Sequence, residues 1–222
     1  MNPPGKAGAF LERVASGRRL LLDGAMGTAL IERGLDVSRQ RASRWSIERP
    51  EEVLAVHRAH VAAGAGLVLT NTFLDPTDAE CAAGLRLARE SGARLVGGSL
   101  YAGTADLARC VRALAEADVI WLETATSVEQ AARALAIAQR ETSLPVVLTL
   151  AAFVPGDAPA GPLRGFNCGP WATVPRARVL KLDADGRAPA EWAQLLARSG
   201  AQLVGGCCGA TPLHIAALAR AI

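Results

Sequence analysis

Short apolar runs alternate with Ala/Leu/Arg-rich segments of helical period along most of the chain. The runs are Leu20–Asp23, Leu67–Thr70, Arg94–Gly97, Val119–Glu123, Pro145–Thr149, Arg164–Cys168, Arg178–Leu182 and Gln202–Gly205. All have strand length, and several are bounded by Gly, Pro or Asp. Helical spacing predicts helices over Pro50–Ala63, Thr77–Ser91, Ala105–Ala117, Ser127–Thr142, Pro189–Ser199 and Pro212–Ile222. Ser127 with Gln130 three positions later, and Pro212 behind Thr211, are helix start signals. Strands alternating with helices predict a parallel sheet covered by helices. Eight strands predict closure: an α/β chain forming a single (β/α)₈ TIM-type barrel domain over residues 1–222.

One connection is too short for that pattern. Only Gly169–Ala177, with Pro170 and Pro175, separates the sixth run from the seventh. A parallel crossover ordinarily needs a dozen or more residues and a helix. The barrel is therefore expected to be trimmed, lacking the helix after strand 6. The Pro/Gly-rich stretch Val154–Gly165 is expected as a loop over the barrel mouth.

Polar residues fall where a barrel enzyme would need them. Asp23, Thr70 with Asn71, Glu123, Cys168, and Cys207 with Cys208 stand at the C-terminal ends of different predicted strands. Those ends converge on one mouth, where barrel active sites are built.

Composition narrows the class. Half of the 222 residues are hydrophobic and 20% are charged, which excludes a disordered chain. Net charge is +3, and only Lys6 and Lys181 among the 24 basic residues are lysines. The arginines are scattered and form no basic face, so no nucleic-acid partner is expected. No run is long and apolar enough for a signal peptide or a membrane span, and a cytoplasmic location is expected.

Five cysteines without an export signal do not read as a disulfide framework. Cys81 and Cys110 lie in helical segments and read as small buried hydrophobes. Cys168 and the glycine-flanked pair Cys207–Cys208 sit at strand ends, and adjacent cysteines rarely bond each other without strain. Three thiolates on two strand ends suit a tetrahedral zinc with one open position, the mark of a catalytic site. A closed structural site that recruits Cys81 or Cys110 is the alternative. Zinc bound by three thiolates carries a net negative charge and is a poor activator of water. It suits binding a further thiol and keeping it ionised, and the natural chemistry is alkyl transfer to sulfur.

The motifs resemble the zinc-dependent homocysteine S-methyltransferase family over nearly the whole chain. They are Asp-Gly-Ala-Met-Gly-Thr (23–28), Arg-Trp-Ser (44–46), Arg49-Pro50, Val-His-Arg-Ala-His (56–60) and Ala-Gly-Ala-Gly (63–66). Thr-Asn-Thr-Phe (70–73), Glu123-Thr124, Asn167-Cys168 and Gly-Gly-Cys-Cys-Gly-Ala-Thr-Pro-Leu-His-Ile (205–215) follow in order. The resemblance implies Zn2+ on Cys168, Cys207 and Cys208, with no catalytic residue beyond the zinc site. It implies Asp23 and Glu123 on the homocysteine ammonium, the backbone near Gly24 and Ala25 on its carboxylate, and Thr70 in the same site. Trp45 is implied near the methyl donor, with packing as its other reading. The expected reaction is methyl transfer to homocysteine, giving methionine, from a small sulfonium such as S-methylmethionine or S-adenosylmethionine. No cobalamin or folate module is expected after the barrel, and betaine or a corrinoid protein in trans stay open as donors.

Two departures bear on this reading. The segment matching the family's Pro-Asn-x-Gly strand end is Leu182-Asp183-Ala184-Asp185-Gly186, and the stretch after Gly98-Ser99 is short. A trimmed wall would leave apolar surface for a partner subunit or a homo-oligomer to cover. The alternative function is a non-catalytic zinc- and thiol-binding relative acting as a sensor or assembly subunit. His57, His60 and His214 are expected to be hydrogen-bonded structural residues rather than ligands.

Overall fold

Eight parallel strands pair side by side in one sheet, and a bridge between Leu22 and Leu67 joins its two ends. The result is a (β/α)₈ TIM-type barrel. The structure is a computed structural model that describes residues 6–151, 154, 163–169 and 176–222.

In chain order the elements begin with α1 (Lys6–Ala15), β1 (Leu20–Leu21), α2 (Met26–Ile31), α3 (Trp45–Glu48), α4 (Pro50–Ala62) and β2 (Leu67–Leu69). Then come α5 (Asp78–Glu90), β3 (Leu95–Tyr101), α6 (Leu107–Ala113), β4 (Val119–Ala125), α7 (Val128–Glu141) and β5 (Val146–Ala151). The chain continues with β6 (Arg164–Asn167), β7 (Val179–Leu182), α8 (Pro189–Arg198), β8 (Leu203–Gly206) and α9 (Pro212–Ala221). Every expected strand and helix is present, within a few residues of its expected ends. Three further helices precede β2. Of these, α1 places Phe10 in the same cluster as Leu20, Leu22, Leu67 and Leu203, at the N-terminal end of the barrel.

No helix stands among the described residues between β5 and β6 or between β6 and β7. Residues 170–175, where a helix after strand 6 would stand, lie outside the described residues. So does most of the expected mouth loop, and its last two residues, Arg164 and Gly165, belong to β6 instead.

Strand side chains alternate between two buried faces, as parallel sheets require. Val68, Val96, Ile120, Leu148, Leu180 and Val204 face the helices. Leu67, Leu69, Leu95, Val119, Trp121, Val147, Val179 and Leu203 fill the interior. A Cβ on Gly97 would lie 2.6 Å from Leu69, and one on Gly205 would lie 2.6 Å from Leu22, so these glycines make room inside the barrel.

The end of β4 is irregular. Its pairing with β5 shifts register between Leu122 and Ala125, and Thr124 has φ of +59°, a conformation costly for a β-branched residue. Asn167 on β6 holds it there. Its Oδ1 accepts from the Thr124 N–H at 3.0 Å and its Nδ2 donates to Thr124 Oγ1 at 2.8 Å. The irregularity falls next to Glu123 and helps set how that carboxylate enters the barrel.

The histidines divide. His214 caps α9: its Nδ1 accepts from the Thr211 N–H, and its Nε2 lies 3.1 Å from the Arg187 carbonyl. His57 and His60 depart from expectation, because none of their ring nitrogens has a hydrogen-bond partner among the described residues. Burial lowers the His57 pKa to about 4, with Asp23 opposing the shift.

Two predictions follow from these contacts. Because the folded-state pKa of His57 lies below the unfolded value of about 6.5, its contribution is intact above pH 6.5 and is lost as pH falls towards 4. Denaturant titrations should show stability falling across that window by up to about 3 kcal/mol from this residue, and His57→Leu should flatten the decline. An unchanged slope in the variant would contradict the assignment. Asn167→Ala should cost about 1–3 kcal/mol, because it leaves the Thr124 N–H unpaired. A loss under about 0.5 kcal/mol in urea unfolding would show that Asn167 does not hold the bend.

Candidate active site

The interior row that is apolar at the N-terminal end of the barrel becomes polar at the other. Two positions beyond Gly97, Trp121, Gly165, Val179 and Gly205 come Ser99, Glu123, Asn167, Lys181 and Cys207. The period of two along each strand carries these side chains to the same mouth. They line a cavity of about 330 Å³ together with Asp23, Gly24, Ala25, Thr70, Cys168 and Cys208. A larger hollow of about 670 Å³ lies around Arg13, Arg18, Arg19 and Arg94. Its lining includes no cysteine or histidine, and Glu12 is its one acidic side chain. The cysteine cluster and the buried charges are at the mouth.

Three sulfurs and one carboxylate gather on one side of the cavity. The ligand atoms of Cys168, Asp183, Cys207 and Cys208 all lie within 4.8 Å of one another. Cys168 Sγ and Cys208 Sγ are 3.7 Å apart. Two thiolates bound tetrahedrally at about 2.3 Å would stand about 3.8 Å apart, so the spacing fits zinc. Cys168 reaches its place through a left-handed turn, with φ of +52°. Cys207 and Cys208 follow directly on β8, and the turn closes through Gly209 at φ of +73°.

Asp183, just past β7, was not singled out from the sequence. Its carboxylate joins the two cysteine loops, with Oδ2 accepting from the Gly169 N–H at 2.7 Å and Oδ1 from the Cys208 N–H at 3.1 Å. Burial, reinforced by nearby Cys207, pushes its pKa up to about 6. Hydrogen bonding from Cys168 draws Cys208 below its ordinary pKa, while hydrogen bonding with Cys207 and Cys208 holds Cys168 above it. Cys81 and Cys110 are buried away from this cluster.

The opposite wall is ionic. Asp23 Oδ2 accepts from the Leu69 N–H at 2.8 Å, and its Oδ1 lies 3.3 Å from Lys181 Nζ. Glu123 Oε1 accepts from Ser99 Oγ at 2.5 Å, and its Oε2 lies 3.8 Å from the same Nζ. All three charged groups are buried. Burial pulls the Lys181 pKa down, but Asp23 and Glu123 outweigh it and the net shift is upward. Burial raises Glu123, with Lys181 opposing.

The other expected site residues are placed as follows. Gly24 and Ala25 line the cavity, although the Ala25 N–H is already donated to the Ala210 carbonyl at 2.9 Å. A Cβ on Gly24 would lie 2.3 Å from that carbonyl oxygen, so only glycine fits there. Thr70 lines the cavity, with its hydroxyl bonded to Thr72 and the Ser99 N–H. The structure does not bring Trp45 to the cavity. It is buried among Leu30, Leu35, Val53 and Leu87, and the Arg49 guanidinium lies 4.8 Å from its ring centroid. Among the described residues, the aromatic that lines the cavity is Phe73, part exposed and 5.6 Å from the Tyr101 ring. No described helix is long and apolar enough to cross a membrane.

The chain is similar to known proteins in fold and in sequence profile. Three similar solved structures are forms of the homocysteine methyltransferase MmuM from Escherichia coli. The apo form is 24% identical, with 92% of this chain and 96% of that chain covered and a TM-score of 0.66. The metallated form is 20% identical, with 97% and 99% covered and a TM-score of 0.68. The oxidized form is 21% identical, with 99% of each covered and a TM-score of 0.68. At such identities these likenesses establish the fold. No curated protein sequence matches the chain significantly. The sequence profile of the homocysteine S-methyltransferases matches residues 20–96 and 164–222, which include Asp23 and all three cysteines of the mouth, and the chain belongs to that family.

Proposed function

We propose that this chain transfers a methyl group from a small sulfonium, S-methylmethionine or S-adenosylmethionine, to the thiolate of homocysteine, giving methionine. The observation that carries the reading is the gathering of three cysteine sulfurs and a carboxylate at the rim of the ionic cavity. Cys168, Cys207 and Cys208 are the residues that would hold zinc, and Asp183 stands beside them. Zinc there would supply an ionised acceptor, since a free thiol of pKa about 8.5 is only a few per cent thiolate at neutral pH.

The chain's own residues do the rest. Asp183 fixes both cysteine loops through the Gly169 and Cys208 amides. Asp23 and Glu123, with Lys181 between them, face the polar end of the acceptor. In the transfer the acceptor sulfur gains the S–CH₃ bond that the donor sulfonium loses, and the donor leaves as a neutral thioether. Opposite charges cancel in that step, so a cavity shielded from water favours it. Leu69 and Phe73 supply apolar wall, and the face of Phe73 suits a sulfonium. No proton moves once the acceptor is a thiolate, so no general base is needed.

The expected outcome is one zinc per chain on freshly purified protein and methionine formation from homocysteine with a sulfonium donor. Cys208→Ala should lose stoichiometric zinc and at least about a hundredfold in rate, because breaking the thiolate set removes the acceptor's ionisation. Cys81→Ser and Cys110→Ser should keep both. Full zinc retention in Cys208→Ala would overturn the metal assignment. Homocysteine binding without turnover for sulfonium, betaine or corrinoid donors would instead favour a thiol-binding relative without catalysis.

A further inference from the structure

The two carboxylates of the cavity are engaged before any substrate arrives. Asp23 commits one oxygen to the Leu69 amide and Glu123 commits one to the Ser99 hydroxyl. The remaining oxygen of each faces Lys181 Nζ, at 3.3 Å and 3.8 Å. Lys181 cannot easily leave this place. Its side chain is only 5% exposed, it grows from the interior face of β7, and moving it would strand a charge away from its partners.

A lysine Nζ and the α-ammonium of an amino acid are the same functional group, with three N–H donors and one positive charge. Two carboxylates converging on one ammonium make a single seat, and Lys181 sits in it. A second ammonium entering beside it would have Nζ as a like charge close by and would have to share Asp23 and Glu123 with it. A carboxylate entering the same space would find an ammonium that lines the cavity and has N–H donors to offer.

We propose that Lys181 is a specificity-determining residue that stands in for the acceptor's α-ammonium, so that this chain prefers a thiol carrying a carboxylate but no ammonium over homocysteine itself. The inference rests on methyl transfer to a thiol at the cysteine cluster and narrows the class of acceptor. Homocysteine remains a substrate, at a disadvantage, because its ammonium has to compete with Nζ for Asp23 and Glu123. Removing the lysine side chain charge frees the seat.

The experiment uses the zinc-loaded full chain and two thiols of equal length, homocysteine and its deaminated analogue 4-sulfanylbutanoate. Binding is read by calorimetry and transfer by formation of each S-methyl product. The wild-type chain should bind the deaminated thiol at least about tenfold more tightly, the scale of one charge-assisted hydrogen bond. Lys181→Met should reverse the order in favour of homocysteine. Equal or tighter binding of homocysteine by the wild-type chain would overturn the proposal while leaving methyl transfer intact. An unreversed preference in a folded Lys181→Met would remove Lys181 from the role. If neither thiol binds or is methylated, the proposed function fails and this inference fails with it.

Discussion

The contact between Asp23 and Lys181 joins the fold to its site. The first strand is two residues long, and a single bridge closes it against β2. Asp23 strengthens that seam from the side chain, by accepting from the Leu69 amide. Its other oxygen meets Lys181 from β7, which also faces Glu123 on β4. One buried carboxylate thus ties β1 to β2 and β7, and through the lysine to the far wall. Buried charges are tolerated only when paired and hydrogen-bonded, and a lone one costs several kcal/mol. The three groups consequently hold one another in place.

The same arrangement explains why chemistry sits at one end. Along the interior row, leucines, valines and glycines give way to Ser99, Glu123, Asn167, Lys181 and Cys207 at the mouth. The apolar end supplies burial, and the polar end would destabilise the barrel if its groups were not mutually satisfied. Of the four described non-glycine residues with left-handed φ, Thr124 and Cys168 line the cavity, whereas Asp75 and Asp185 do not. Asn167 holds the first by two hydrogen bonds, and Asp183 supports the second through the adjacent Gly169 amide. Strain of this kind persists where surrounding contacts over-determine it.

Much of this was legible from alternation and strand ends. Short apolar runs mark the strands, and the convergence of strand ends in a barrel predicts that Asp23, Glu123, Cys168, Cys207 and Cys208 share one mouth. Lys181 was readable by the same rule, since it lies two positions after the interior Val179, but strand lysines usually point to solvent and its neighbours gave no sign of partners on β1 and β4. Asp183 lies one residue beyond β7, where a turn and not the strand period decides direction. Trp45 shows the limit of motif reading: its segment matches the family, yet the apolar faces of α3 and α4 bury it with Leu30 and Val53. Helices α2 and α3 leave no such signal because both are short and have no side-chain cap.

Whether the ionic wall acts as one unit is measured most directly by a double-mutant cycle on stability, using Asp23→Asn, Lys181→Met and the combined variant. Each single change leaves a buried partner incompletely paired, whereas the double change removes both charges. The expected coupling is at least about 2 kcal/mol, with the double variant more stable than the sum of the singles allows. Additivity within about 0.5 kcal/mol would contradict the account, because it would mean that Asp23 and Lys181 are neighbours without being partners.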